Sequence, residues 1–379
     1  MTVNPFKIEV DNAVLTDLKQ RLEHTRWPDE IPGSGWDYGT NLAYLQELVA
    51  YWHDTFDWHT QEQLLNSFPQ FKANVDGLNI HFIHVKGTGT HPIPLLISHG
   101  WPGSFFEMYK IIGPLTDPVR FGGSPEDAFD VVVPSLPGYG FSDRPRERAV
   151  EVRRIAQLFQ RLMTEQLNYQ RFGAQGGDWG SSITSCLGQD YPDNMIGIHL
   201  NMLLQLPPSN DTKPTPEEQR WREQKQRFQQ AESGYRHVQG TKPQTLAYGL
   251  NDSPTGLAGW IVEKFRTWSD CHGDVESVYT KDELLTNIML YWVTQTINSS
   301  TRLYYETMHH SQFTYAPITV PTGVAIFPKD NSIPPRALAE RYYNIQRWTN
   351  AEKGGHFAAL EQPEILINEL RAFFRPLRS

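Results

Sequence analysis

Three side chains, met in a particular chain order, could together carry out covalent hydrolysis. Asp178 stands in Gly176-Gly177-Asp178-Trp179-Gly180, after the strand-like RFGAQ and before the helix-like SSITSCLGQDY. This is the small-x-nucleophile-x-small form of a nucleophile elbow, with Asp at the centre where other elbows have Ser. The glycines suit a strained strand-to-helix turn that leaves no room for side chains. Such a turn lifts its central residue above a sheet, at the N-terminus of a helix that favours negative charge. A carboxylate there can attack carbon and form an ester. Taken alone, Asp178 also admits a reading as a cap on the following helix.

The partners follow in sequence. Asp330 ends the strand-like TGVAIF in FPKD, and His356 lies in GGHFAALEQP, just before the last helix. Nucleophile, acid, histidine is the order of an α/β-hydrolase triad. His356 would activate water, and Asp330 would fix its tautomer and stabilise the imidazolium. Separately, Asp330 reads as a turn residue and His356 as a buried structural histidine; the order of the three argues against both. His99-Gly100-Trp101-Pro102-Gly103 follows the strand-like IPLLIS, where this fold places an oxyanion-binding loop. The backbone N–H groups of Trp101 and Trp179 are the expected oxyanion donors.

These residues need a sheet to hold them. From about Leu78 the runs LNIHFIHV, IPLLIS, FDVVVPSLP, RFGAQGG and MIGIHLN are short and apolar, and helix-like segments follow most of them. Strands alternating with helices predict a mostly parallel sheet flanked by helices. Residues 1–85 read as an N-terminal meander wrapping the core, with helical patterns at Asp11 to Thr25 and Leu42 to Tyr51. A turn-rich stretch, FDWHTQEQLLNSFPQF, follows. Residues 86–206 and 317–379 read as the two parts of the α/β core, and 207–316 as an all-helical cap inserted between them.

The cap should decide what the carboxylate attacks. A nucleophilic Asp serves both dehalogenation and epoxide opening. A departing halide needs N–H donors such as indoles, whereas an epoxide oxygen needs an acid, for which tyrosine is the usual candidate. Periodicity does not choose among Tyr235, Tyr248, Tyr279, Tyr291, Tyr304 and Tyr305, and most of these should be packing residues whose hydroxyl finds a partner. The aromatic residues Phe105, Trp179, Trp260, Phe265 and Trp292 fit an apolar or aromatic substrate, or equally a core.

Composition narrows the alternatives. The 379-residue chain has a net charge of −9, with no excess of Lys and Arg to neutralise nucleic-acid phosphates. Its two cysteines, Cys186 and Cys271, have neither metal-ligand nor disulfide spacing. No apolar run approaches the length of a membrane span, and the start, MTVNPFKIEV, lacks the pattern of a secretory signal. A soluble, cytoplasmic protein is the expectation.

With these residues in view, the sequence resembles the microsomal-type epoxide hydrolases, including their juvenile-hormone and fungal members. The resemblance runs through RLEHTRWPDE, GWDYGTNLAYL, HGWPGSFFE, GGDWG, the string YRHVQGTKPQTLAYGLNDSPTGLAGWIVEKF, FPKD and GGHFAALEQP. It implies the α/β-hydrolase fold, with Asp178 as nucleophile, His356 as base and Asp330 as its carboxylate partner. It also maps two oxygen-protonating tyrosines to Tyr235, in ESGYRHVQ, and Tyr304, in RLYYE, with Tyr305 adjacent to the second. The partners it implies are a small-molecule epoxide and water, with no cofactor and no metal; the charge argues against nucleic acid, and a homodimer is compatible. The expectation of no membrane anchor departs from the family, whose animal members carry one at the N-terminus. The rivals are a dehalogenase, favoured by Trp179 beside the nucleophile, and a non-catalytic binding protein, disfavoured by a complete triad.

Overall fold

A strand that is apolar on both faces must be covered on both faces, and the middle of this molecule follows that rule. In the computed structural model, which describes residues 3–204, 206, 214–311 and 316–378, the strands form one sheet. They are β1 (Val3–Phe6), β2 (Gln70–Val75), β3 (Leu78–Val85), β4 (Ile93–Ser98), β5 (Phe129–Pro134), β6 (Phe172–Gly176), β7 (Met195–Leu200), β8 (Ile318–Ile326) and β9 (Tyr343–Asn350). Their order is β1-β2-β3-β5-β4-β6-β7-β8-β9. The pairs from β1 to β5 are antiparallel. Every pair from β5–β4 to β8–β9 is parallel. The core strands β5 and β6 are buried along their whole length.

The helices fill the spaces between. α1 (Asn12–Glu23), α2 (Leu42–Asp54) and α3 (Trp58–Asn66) precede β2, while α4 (Tyr109–Thr116), α5 (Val152–Arg161) and α6 (Asp178–Asp190) lie among the core strands. Between β7 and β8 come α7 (Pro216–Glu232), α8 (Gly234–Thr241), α9 (Pro243–Asp252), α10 (Pro254–Trp268), α11 (Lys281–Thr294) and α12 (Ile297–His310). α13 (Arg336–Ala339), α14 (Ala358–Glu361) and α15 (Pro363–Phe374) close the chain. The regular elements described between β7 and β8 are thus all helices; the expected start of the cap at residue 207 lies outside the described residues. Thr215 and Thr280 each begin a helix with a reciprocal capping box, to Glu218 and Glu283. α10 buries Leu257, Ile261, Phe265 and Trp268 on one side, and α1 and α2 pack against it.

Two local expectations are corrected. The stretch FDWHTQEQLLNSFPQF is not merely turn-rich: Asp57 accepts the amides of His59 and Thr60, and α3 runs from there with Trp58 and Leu65 buried. The segment before Val85 also lends β1 and β2 to the sheet, beyond the two helical patterns read in it. β9, of sequence YNIQRWTN, carries too few apolar residues to announce itself, because it is the edge strand and only partly buried.

The register matters most for function. Ser98 of β4 sits opposite Gly176 of β6, and Gly176 opposite Leu200 of β7. Parallel strands ending in step release their following loops at one edge, where α/β sheets build their sites. HGWPG and GGDWG therefore emerge side by side.

Candidate active site

The elbow is built by close backbone approach. Asp178, the first residue of α6, has φ +46°, a left-handed conformation that costs a non-glycine residue about 1–2 kcal/mol. The strain holds because the flanking glycines let the chain fold tightly. A Cβ on Gly176 would lie 2.1 Å from the Gly180 carbonyl oxygen, and one on Gly180 would lie 2.0 Å from that of Ser98. Any larger residue at either place would push α6 off the sheet.

The two oxygens of Asp178 have different company. Oδ1 accepts the Trp101 amide at 2.8 Å, while Oδ2 lies 3.4 Å from His356 Nε2. Of the two expected amide donors, only Trp101 bonds Asp178 here; the Trp179 amide belongs to the first turn of α6, whose N–H groups have no intrahelical acceptor. His356 Nδ1 is 2.8 Å from Asp330 Oδ1, so a proton on Nδ1 is held there and Nε2 is turned to the nucleophile. Asp330 and His356 side chains are 2% and 3% exposed, against 16% for Asp178. The acid and base are thus sealed, and the nucleophile is open to a ligand. Burial opposes charge on His356, but Asp330 and Asp178 outweigh it and raise the imidazole well above its ordinary range.

The loop that carries the base is clamped by a residue to which sequence reasoning gave no role. Glu361 accepts the amides of Gly355 and Phe357, on either side of His356, and that of Asp270, each at 2.9 Å. The His356 amide itself donates to the Trp268 carbonyl at 2.9 Å. Glu361 was visible in GGHFAALEQP, but its bond to Asp270 joins residues far apart in the chain.

The helices after β7 bring the tyrosines over this loop cluster. Tyr235 on α8 stacks on the Trp101 indole, with centroids 5.4 Å apart and planes within 6°. Tyr304 on α12 meets Trp179 edge-on at 4.7 Å, and the two tyrosine rings are 5.8 Å apart. Trp268, unremarked in the sequence, completes the wall against Tyr235 at 5.1 Å. Burial, then the charge of Asp178, pushes the Tyr235 hydroxyl up, and its hydrogen bond with Tyr304 works the other way. Burial also raises Tyr304 well above its usual range, with Tyr235 and Asp178 adding to the effect. Both phenols are therefore protonated at neutral pH.

The other tyrosines are elsewhere. Tyr305 stacks on His309 at 4.0 Å, away from the tyrosine pair, and Tyr248 is exposed. Tyr291 donates to the Gly103 carbonyl and Tyr279 shares a hydrogen bond with Ser269. Of the aromatic residues proposed for substrate contact, Trp179 lines the site. Phe105 and Phe265 are core, Trp260 donates to Gln239, and Trp292 lies under Arg21. The indole N–H groups of Trp101 and Trp179 are buried without a protein acceptor, so the halide-binding feature weighed above is physically present beside the tyrosines. Among the described residues no cluster of His, Cys, Asp and Glu is arranged to hold a metal ion. None of their helices is long and apolar enough to cross a membrane.

Comparison with known proteins bears on this arrangement. Residues 3–108 match the family described as epoxide hydrolase N terminus, and residues 93–379 match the alpha/beta hydrolase fold family. The chain is 40% identical to epoxide hydrolase 1 of Sus scrofa, over 98% of this chain and 88% of that one. It superposes on the crystal structure of juvenile hormone epoxide hydrolase from the silkworm Bombyx mori with a TM-score of 0.91 at 32% identity, covering 100% and 95% of the two chains. For the Aspergillus niger epoxide hydrolase the values are 0.88 and 30%, covering 100% and 97%.

Proposed function

The chain belongs to the epoxide hydrolases of the α/β-hydrolase fold, and from that membership we propose that it converts apolar or aromatic epoxides to vicinal diols through an ester on Asp178. One observation carries the covalent route. Asp178 Oδ1 is tied to the Trp101 amide while Oδ2 faces His356, so one oxygen is parked as the future carbonyl and the other is left to attack.

In the first half-reaction Oδ2 bonds to a ring carbon, and that carbon's bond to the epoxide oxygen breaks. Tyr235 and Tyr304 hydrogen-bond the oxygen, and the alkoxide takes a phenolic proton. The resting imidazolium of His356, favoured by two carboxylates, restores that proton through solvent. Esterification also removes the negative charge of Asp178, so support for the imidazolium drops and His356 becomes a base when one is needed. In the second half-reaction water attacks Cγ of Asp178 and gives a proton to Nε2. The negative charge develops on Oδ1, where the Trp101 amide waits. Collapse breaks the Cγ–Oδ2 bond and the diol oxygen leaves as a hydroxyl with the proton from His356; the carboxyl proton that the water left on Asp178 then passes to His356, which restores the carboxylate and the imidazolium.

The substrate preference is supported by the wall of Trp101, Trp179, Trp268, Tyr235 and Tyr304, which offers flat apolar faces and few polar contacts. The test is an epoxide panel, from aryl epoxides to small polar ones, with a chloroalkane arm, run on the wild type and Asp178→Ala. Diol from aryl epoxides by the wild type alone is expected. Halide release without diol formation, or diol formation undiminished in Asp178→Ala, would overturn the proposal.

A further inference from the structure

Beside Asp178, and sharing Trp101 with the aromatic wall, lies a cavity of ≈ 20 Å³. It is bordered by Ser98, Glu107, Gln175, Asp178, Asn201 and His356, among others. That volume suits a single water, which needs roughly 10–15 Å³ and two to four polar partners. The lining supplies them. Ser98 Oγ and Gln175 Oε1 are buried with no protein partner, whereas Asn201 Oδ1 already accepts from Gln175 Nε2 at 2.7 Å.

Glu107 is the unexplained member of this set. It sits in the short turn Phe105–Met108 that follows the oxyanion loop and is buried. Its carboxyl folds back so closely that a Cβ on Gly103 would lie 1.6 Å from Oε1. The backbone N–H groups of Gly100 and Ser104 favour its charged form. Burial makes charge on a carboxyl costly and pushes this one up to about 8, with His356 pulling down and Asp178 pushing up.

We propose that this cavity seats the water that cleaves the Asp178 ester, and that Glu107 accepts that water's second hydrogen. The inference rests on the ester mechanism above. A water attacking Cγ must aim a lone pair at the carbon and give one hydrogen to His356 Nε2. Its other hydrogen then needs an acceptor at a fixed angle, or the lone pair wanders off line. Glu107 lies on the same cavity wall as both reacting side chains and keeps a free lone pair in either protonation state. Close packing over Gly103 holds the carboxyl still, which makes it a positioning residue for water and gives it no part in ring opening.

Single-turnover kinetics on Glu107→Gln, with an epoxide that the wild type hydrolyses, separates the two half-reactions. The amide keeps the size of the acid but turns an NH2 toward either the backbone donors or the water. Ester formation is expected within about 2-fold of wild type and ester hydrolysis slower by about 10- to 100-fold, with the alkylated protein visible by intact mass. Hydrolysis at the wild-type rate, or loss of both steps in equal measure, would overturn the proposal. The wild-type alkylation rate also reports that the variant is folded; if Glu107→Gln does not fold, Glu107→Asp, which draws the acceptor back by one methylene, carries the same test. His356→Gln runs alongside. If it builds no ester, the covalent mechanism itself is at fault. If it builds ester and Glu107→Gln does not, only the water seat is wrong.

Discussion

Replacing Glu361 with alanine removes the acceptor of three backbone amides at once, the buried ones of Gly355 and Phe357 and the part-buried one of Asp270. A buried donor left unmet costs about 1–3 kcal/mol. Three such donors, partly relieved by water entering the space, should cost about 3–5 kcal/mol. At about 2–4 °C per kcal/mol for a domain of a few hundred residues, the melting temperature should fall by roughly 6–20 °C. Glu361→Gln keeps one oxygen, able to serve Asp270 and Gly355, but sets an NH2 against the Phe357 amide; about 1–3 kcal/mol should be lost.

The pH dependence separates the charge from the shape. Burial pushes Glu361 up to about 7 from an ordinary 4.5, against the pull of its amide donors and His356. The folded chain therefore holds a proton there that the unfolded chain releases. The associated stability is fully present below the ordinary carboxylate pKa and is lost as pH rises through 7, by at most about 3 kcal/mol. Glu361→Gln should lack this component, so wild type minus variant stability falls between pH 5 and pH 8. Urea melts of both proteins at several pH values measure it. Parallel pH curves for the two, or an alanine variant melting within 2 °C of wild type, would refute the reasoning. The two amides next to His356 make a functional effect inseparable: a base displaced by about 1 Å can lose 10²-fold, and ester hydrolysis should suffer more than ester formation.

Other substitutions probe the remaining roles. Tyr235→Phe and Tyr304→Phe should each slow ester formation by about 10- to 100-fold, and the double variant by more, with ester hydrolysis little changed in stopped-flow traces. Tyr305→Phe should be silent in the same traces, since its ring stacks on His309. Asp330→Asn removes the charge that raises His356 and blurs its tautomer; ester hydrolysis should fall by about 10²-fold or more. NMR of the His356 ring should show its pKa dropping, and an unmoved pKa would count against Asp330 as its electrostatic support.

The parts of this site that were legible in the sequence are those written in short range. Asp178, Asp330 and His356 each come soon after a strand, in short strings where glycines and chain order betray a role. The tyrosines were legible only as a set. Tyr304 and Tyr305 are neighbours on one helix, about 100° apart around its axis, and only the packing of α12 decides which turns inward. Glu107 and Glu361 lay in quoted strings yet carried no signal, because their meaning is which backbone amides surround them, and Asp270 reaches Glu361 from another element. The fold divides the same way. The apolar core runs announced β4 to β8, whereas β1, β2 and β9, at the sheet's margins, are strands by virtue of the neighbours they pair with.

The most direct test of the ester is a single turnover in ¹⁸O-water, followed by mass analysis of the diol and of the peptide containing Asp178. Attack of water on Cγ places the label in the Asp178 carboxylate and leaves the first diol unlabelled, because its new oxygen comes from Oδ2. Label appearing at once in the diol, with none in Asp178, would contradict a covalent intermediate.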